Sequence, residues 1–387
     1  MNTSNKFINN KGNVFVKKYA FFTRFNYLGK ISGEKRHAIA PDSLIQKSTI
    51  WKKFKANKLG YYSFIIFVSL FITSLFAEFI SNDKPLVVRY QNEWRFPVFS
   101  EYSEVDYGGI LRTPADYHSP FIKSQLAQAD NFAVFPLNQW DYRAMNYQNQ
   151  SPHPAAPSAD NLLGTDIIGR DIVARLLYAF RLSVLFGVLL TLVGSAIGIF
   201  LGAIQGYFGG KVDFVTQRLI EIWGALPELY LLIIFASLFE PSLLLLFVLL
   251  SLFGWMVLAD YVRAEFLRNR QMEYVKAARA MGLSNLQIIW RHVLPNSLVP
   301  VITFLPFRMS AAIMALTSLD FLGLGVLAPT PSLGELLAQS KTYLYAWWIS
   351  IPTFCVLVTT LLLLTFIGEG LRDALDARRN NLKDIRN

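Results

Sequence analysis

Apolar residues gather along this chain in six blocks of about 20, each long enough to cross a hydrocarbon layer roughly 30 Å thick. They lie near Tyr61–Phe79, Leu182–Ala203, Leu219–Phe239, Ser242–Ala259, Leu298–Leu319 and Ile349–Ile367. The pattern predicts an all-α polytopic membrane protein with six transmembrane helices. A polar stretch rich in Tyr, Phe and Trp separates the first two blocks. Within it, Leu86–Tyr90 and Trp94–Phe99, split by Gln91-Asn92-Glu93, read as a short β-hairpin. Residues 81–160 are therefore expected to form a small external insert of mixed α/β character, with its aromatics as a miniature core and Ser151–Asp160 as a linker. From Leu163 to Arg181 the pattern turns amphipathic. Thr165 or Asp166 can cap, Gly169 breaks, and Asp171 starts a helix whose stripe is Ile172, Val173, Leu176, Leu177 and Phe180, with Arg175 and Arg181 off it. This predicts an interfacial helix over 161–181 that feeds the second span. Residues 182–370 then hold the other five spans, between a basic segment at 1–60 and a tail at 371–387.

The chain has 387 residues, is 53% hydrophobic and carries a net charge of +10. Its charge distribution predicts topology. Lys and Arg dominate the segment before Gly60, the loop after the fourth block (Arg263, Arg268, Arg270, Lys276, Arg279, Arg291) and the tail (Arg372, Arg378, Arg379, Lys383, Arg386). With six spans all three fall on one side, the cytoplasmic one. Arg170, Arg175 and Arg181 run against this rule, but they end a long translocated loop where it is weak. The first apolar block begins about sixty residues in, so no cleavable signal peptide is expected. The basic, aromatic residues of 1–50 suit either a contact with anionic lipid or a disordered tail. Trp51 with Lys52, Lys53, Lys55 and Lys58 reads as an interfacial anchor.

Polar residues inside the blocks are candidate functional groups, because a charge at the centre of a bilayer-spanning helix costs on the order of 3 kcal/mol. Glu228 follows Pro227, which should kink the third span. Arg308, Ser318 and Asp320 lie in the fifth. These four are candidates for a translocation path or an interface with a second subunit. Gly194, Gly198, Gly202 and Gly206 put a glycine on every fourth position of the second span, a ridge for close helix packing within the subunit.

The longest amphipathic run between two spans is Glu273–Asn296, EYVKAARAMGLSNLQIIWRHVLPN. Ala277, Ala278 and Gly282 fall close together on a helix, Gly282 with Ser284-Asn285 marks a turn before a second short helix, and Pro295 ends it. Its spacing resembles the cytoplasmic coupling loop of importer-type ABC permeases: E-A-A, three residues, G, nine residues, I-x-L-P. Here Lys276 stands for the glutamate and His292 for the isoleucine, and Arg291-His292-x-Leu294-Pro295-Asn296 looks like the peptide- and nickel-importing branch. L-G-T-D-x-x-G-R-D at 163–171 matches a signature of that branch without a departure. Thr317-Ser318-Leu319-Asp320-Phe321-Leu322-Gly323 departs from the usual E-A-S-L-S-F-L-G. Together with NDKPLVVRYQNEWRFPVFSEY and PSLGELLAQSK it resembles the YejE subfamily, whose systems import oligopeptides and microcin C-like peptide conjugates.

The resemblance implies a type I ABC importer permease in the bacterial inner membrane, carrying peptide substrate. Its implied partners are a second homologous permease, cytoplasmic ABC ATPase domains that hold ATP and Mg, and an external substrate-binding protein. Glu273, Tyr274, Lys276, Ala277, Ala278, Arg279, Gly282, Arg291, His292, Leu294 and Pro295 would form the ATPase-docking loop, with small Ala277, Ala278 and Gly282 letting the helix seat in a groove. A dipeptide or nickel importer is the nearest alternative. The chain has no G-x-x-x-x-G-K-[ST] loop to cradle nucleotide phosphates, no G-x-S-x-G elbow, and four scattered histidines (His37, His118, His153, His292) without metal-ligand spacing. It is therefore expected to bind no cofactor or metal itself and to be no enzyme. Its positive charge follows from topology rather than nucleic-acid binding. A membrane enzyme would have to turn over without nucleotide, and a self-contained transporter would show internal inverted repeats, which are not evident.

Overall fold

The computed structural model describes residues 50–128, 130–147 and 152–375, so the N-terminal segment before 50 and the tail beyond 375 lie outside the described residues. Five helical stretches are long and apolar enough to cross a bilayer, and a bent pair makes up to six. The first is α1 (Lys58–Leu75). It is preceded by a helical stretch at 50–56 in which Phe54 is buried and Lys55 Nζ lies 5.4 Å from the ring of half-exposed Trp51. The second, α2 (Ile172–Phe208), is one unbroken helix of 37 residues, about 55 Å long at 1.5 Å per residue. Asp171 caps it, accepting from Ala174 N at 2.8 Å. No separate interfacial helix over 161–181 exists: 161–171 is loop, and the amphipathic stripe continues without a break into the span.

The third apolar block is the bent pair α3 (Gly210–Gly224) and α4 (Glu228–Leu238), which meet at 62°. Pro227, without an N–H to continue the ladder, stands at the start of α4, as its position predicts. The fourth is also interrupted, at Gly254-Trp255, between α5 (Leu243–Phe253) and α6 (Met256–Asn269). Then come α7 (Glu273–Ala280), the long α8 (Leu294–Phe321), α9 (Leu333–Thr342) and α10 (Trp347–Leu375).

The insert is a three-stranded antiparallel sheet with a short helix at Pro120–Leu126. Val87–Tyr90 pairs with Glu93–Arg95 through Gln91 and Asn92, whose positive φ values of 50° and 70° suit a tight hairpin turn. The second strand stops at Arg95 rather than running to Phe99, since Pro97 cannot donate to a ladder. Phe132–Val134 adds on the other side of the first strand. Val88, Tyr90, Tyr107, Tyr117, Ile122 and Leu126 form the core, the miniature one expected of the aromatics. Burial pushes the Asp141 carboxyl up to about 6, with the Asp83 charge adding to the rise. Residues 152–160 are no loose linker. Ala155 is buried, its N donates to Thr165 Oγ1 at 3.0 Å, and Trp140 Nε1 donates to Asp160 O at 2.8 Å.

The insert, α2 and α9 meet at a buried cluster of four charges. Arg170 Nε donates to Asp166 Oδ2 at 2.6 Å and its Nη2 to Glu335 Oε1 at 2.9 Å. Arg175 is fully buried. It pairs with Glu335 Oε2, lies 3.7 Å from Asp166 Oδ2, and donates to Tyr142 O of the insert at 3.3 Å. Two cations face two anions, so no net charge is buried. The signature residues at 163–171 hold this cluster: Thr165 Oγ1 contacts His153 Nδ1 at 3.0 Å, and Asp171 accepts from Asn138 and Asn161 at 2.8 and 2.9 Å.

At the other end of α2, the glycine ridge lies against the backbone of α6. A Cβ on Gly198 would stand 2.9 Å from Trp255 O, one on Gly202 2.8 Å from Val262 Cβ, and one on Gly206 2.6 Å from Arg263 O. Only a bare backbone permits this approach, and it occurs within one subunit.

Removing one member of a buried, paired set of charges strands the others and costs about 3–5 kcal/mol. Arg175→Leu should therefore lower the thermal midpoint of the purified protein in detergent by many degrees. Arg175→Leu combined with Glu335→Leu should recover part of that loss. Strictly additive losses in the double variant would show that the two side chains do not act as a pair.

Candidate functional site

Two regions carry the sequence candidates. The first is the elbow between α6 and α8. Its first arm, α7, ends in a turn that satisfies two loose carbonyls: Leu283 N donates to Ala278 O at 3.3 Å and Gly282 N to Arg279 O at 3.0 Å. Gly282 has φ +81°, a conformation that a side chain resists, and nothing lies within 4 Å of where its Cβ would be. Ser284 then caps the short helix Asn285–Ile288 in a reciprocal box with Gln287. A π turn over Ile289–Val293 leads directly into α8. Pro295 therefore does not end a helix. It sits in the first turn of α8, after the wide turn in which Leu294 N reaches back to Ile289 O, a place where its missing N–H breaks no ladder. Asn296 Nδ2 donates to His292 O at 2.8 Å.

The elbow has an inner and an outer face. Val275, Ala278, Ile288 and Val293 pack with Val262 and Phe266 of α6 and Val301 of α8. Ala278 is 1% exposed, so of the two alanines only Ala277 is available to a partner. Helical period separates them: Ala278 follows Val275 by three residues onto the inner face. On the outer face stand Glu273, Tyr274, Lys276, Ala277, Arg279, Gly282, Arg291 and Pro295, while His292 and Leu294 are half-buried. Lys276 Nζ pairs locally with Glu273 at 2.9 Å. The sequence reading passed over the apolar residues beside them, Met281, Leu286 and Trp290, each about two-thirds exposed or more at 73%, 67% and 68%. Three hydrogen bonds fix the elbow and its base: Asn269 Nδ2 of α6 to Ser297 Oγ of α8 (2.8 Å), Tyr207 OH of α2 to Asn285 Oδ1 (2.9 Å) and Arg270 Nη1 to Tyr207 O (3.1 Å).

The second region lies halfway along the spans. Glu228 and Arg308 line one cavity of about 170 Å³ with Leu190, Thr191, Leu250, Gly254 and three alanines of α8. The fold thus brings these two together. Ser318 and Asp320 are elsewhere. Ser318 is exposed on α8, and Asp320 is buried, accepting from Ser332 Oγ and from Val326 N at 3.0 Å. Asp320 organises the loop between α8 and α9 and lies apart from the cavity of Glu228 and Arg308. Among the described residues no group of three or more His, Cys, Asp or Glu could hold a metal ion.

Comparison with known proteins bears on both regions. The family described as "Binding-protein-dependent transport system inner membrane component" matches residues 194–381, and "N-terminal TM domain of oligopeptide transport permease C" matches residues 46–94. The chain is 47% identical to "Inner membrane ABC transporter permease protein YejE" of Escherichia coli (strain K12), over 85% of this chain and 96% of that protein. It is 44% identical to "Peptidoglycan transport system permease protein YejE" of Agrobacterium fabrum, over 85% and 92%. It is 37% identical to "Dipeptide transport system permease protein DppC" of Haemophilus influenzae, over 56% and 74%.

The two faces of α7 make opposite demands. Ala278→Glu would bury a carboxylate against Phe266 and Ile288 and should destabilise the protein by ~3 kcal/mol or more. Ala277→Glu, one residue away on the outer face, should leave the thermal midpoint within about ±0.5 kcal/mol equivalent of the parent. Equal midpoints for the two variants would contradict the assigned faces.

Proposed function

The chain belongs to the inner-membrane permeases of peptide-type ABC importers, the YejE-like branch among them, and on that premise we propose how it works. Six spans cross the membrane, the bent α3–α4 pair counting as one, with both termini and the elbow in the cytoplasm. A second homologous permease completes the path, and an external binding protein delivers oligopeptides or peptide conjugates to it. Cytoplasmic ATPase domains, which carry ATP and Mg, dock on the elbow. The named relatives favour a YejE-type cargo over a dipeptide or nickel one, because they align over 85% of this chain while the dipeptide permease aligns over 56%.

The elbow's two-sided construction carries this reading. Its inner face and three hydrogen bonds lock it to α2, α6 and α8. Its outer face offers Tyr274, Met281, Leu286 and Trp290 for burial, and Lys276, Arg279 and Arg291 for carboxylates on the partner. A surface of this kind, apolar within a basic surround, suits a protein rather than water. Closure of the ATPase domains on ATP would push or rotate α7. Since α6 and α8 leave the elbow at either end, and α6 is seated on the glycine ridge of α2, the displacement would pass into three spans and reopen the path outward. Hydrolysis would reset it.

Two experiments test the proposal. Gly282→Trp places a bulky side chain at a left-handed residue on the outer face, where nothing lies within 4 Å of the Cβ position. Its expected outcome is loss of ATPase co-purification and of at least ~90% of peptide uptake, at a folding cost near 1–2 kcal/mol. Unaltered assembly and uptake would reject docking at the elbow. For orientation, a cysteine at Ser284 in a Cys355→Ser background should resist an impermeant maleimide in intact cells and react after lysis. Labelling in intact cells would place the elbow outside and end the account.

A further inference from the structure

Within the transport reading above, we propose that the cavity between Arg308, Thr191 and Glu228 is a transient binding site for a carboxylate of the peptide cargo, halfway across the membrane. The four spans that build it each contribute their middle. Arg308 is central in α8, Thr191 in α2, Gly254 is the interruption between α5 and α6, and Glu228 begins α4 directly after the break at Pro227. Interrupted helices at membrane depth are tolerated where they line a cavity, and such breaks are where transporters place polar substrate groups.

The polar atoms at this cavity are left unfinished. Arg308 uses Nη2 to donate to Gly254 O at 2.8 Å, the open carbonyl at the end of α5. Its Nε is buried with no hydrogen-bond partner. Thr191 is 7% exposed, and its Oγ1 is also buried without a partner, although a helical threonine commonly returns its hydroxyl to its own backbone. Both residues line one cavity, and each keeps one unpaired donor just behind its wall. Gly194 leaves room for the guanidinium: a Cβ there would stand 2.7 Å from Arg308 Nη2. Glu228, half-buried on the same cavity, makes no hydrogen bond or ion pair among the described residues.

The charge of an entering carboxylate answers that of Arg308, and a turn of the two side chains towards it would give Nε and the threonine hydroxyl the acceptors they lack. A cavity of about 170 Å³ has room for such a group with a few waters and not for a whole peptide, so it holds the end of a chain. Glu228 has a different task. Its negative charge repels a carboxylate seated opposite, which keeps the hold weak enough for cargo to leave. Conduction needs that balance between entry and release.

The test uses the complete transporter in proteoliposomes, with the binding protein saturated so that rates report on the permeases. Uptake of trialanine is compared with that of trialanine amide, which has no carboxylate. The parent should carry the acid at least tenfold faster. Arg308→Gln should slow the acid tenfold or more and bring the acid-to-amide ratio within twofold of one, and Arg308→Lys should keep part of the preference. Equal slowing of acid and amide in Arg308→Gln would assign Arg308 to capping Gly254 alone and overturn the site. Should that variant fail to assemble, Thr191→Val removes one hydroxyl only, and an unchanged acid-to-amide ratio there would overturn it equally. A parent that carries both probes alike also overturns it while leaving peptide import standing. A parent that carries neither would reject the peptide reading itself.

Discussion

Hydrocarbon offers a peptide backbone no hydrogen bonds, so every break in a span must be satisfied from within the protein. That constraint orders this structure. Where a helix runs unbroken and without proline, as in α2, the ladder suffices. In α8, which carries Pro300 and Pro306, Thr303 Oγ1 donates back to Pro300 O at 2.6 Å and Ser310 Oγ to Pro306 O at 3.2 Å, the ordinary return of a helical hydroxyl to its own backbone. At the interruption between α5 and α6, Trp223 Nε1 and Trp255 Nε1 both reach Leu252 O, at 3.0 and 2.8 Å, and Arg308 takes Gly254 O. Breaks that need so many side chains to support them are retained at specific positions. Two of them open on the same cavity, and a third, the π turn, opens on the elbow.

The second consequence concerns transmission. α2 is a single rod whose two ends have different attachments. Near its C-terminus the glycine ridge puts its backbone against α6, and Tyr207 holds both the short helix of the elbow and Arg270. Near its N-terminus Arg175 ties it to Glu335 of α9 and to the insert through Tyr142 O. A displacement entering at the elbow would therefore have one continuous helix and two packed junctions between it and the insert. Both junctions resist separation: the glycine contact is packed backbone to backbone, and a buried charge that loses its partner is strongly penalised.

Much of this was legible in the sequence, and what was not has physical reasons. Block lengths located the apolar helices, Pro227 located the bend, and period-four glycines located the ridge, because each is a local rule. The hairpin was readable from its turn, but the third strand, with only three residues at 132–134, was not. Arg175 read only as lying off the apolar stripe, because its partner Glu335 lies 160 residues later, beyond any local pattern. The same remoteness hid the packing of residues 152–160. Ala278 was grouped with Ala277 by its size, while the inward turn of the helix depends on Phe266 and Ile288, which only the folded elbow supplies. Pro295 read as a stop because a π turn has no sequence signal comparable to a glycine or a cap.

Three charged residues in the apolar blocks looked equivalent in sequence, and their surroundings separate them. Asp320 has a serine hydroxyl and a backbone N–H, so its burial is compensated locally and it serves the α8–α9 loop. Arg308 is half compensated, with one nitrogen on Gly254 O and another buried without an acceptor. Glu228 has no hydrogen-bonded partner among the described residues. In a medium where each uncompensated charge is expensive, a group left unsatisfied by its own chain must be answered by something the chain does not contain: water, a second permease or passing cargo. Ranked by what is missing around them, the three run from fully to least satisfied, and the two that remain incomplete share a single cavity. Sequence position alone could not give that order, because it depends on which neighbours the fold withholds.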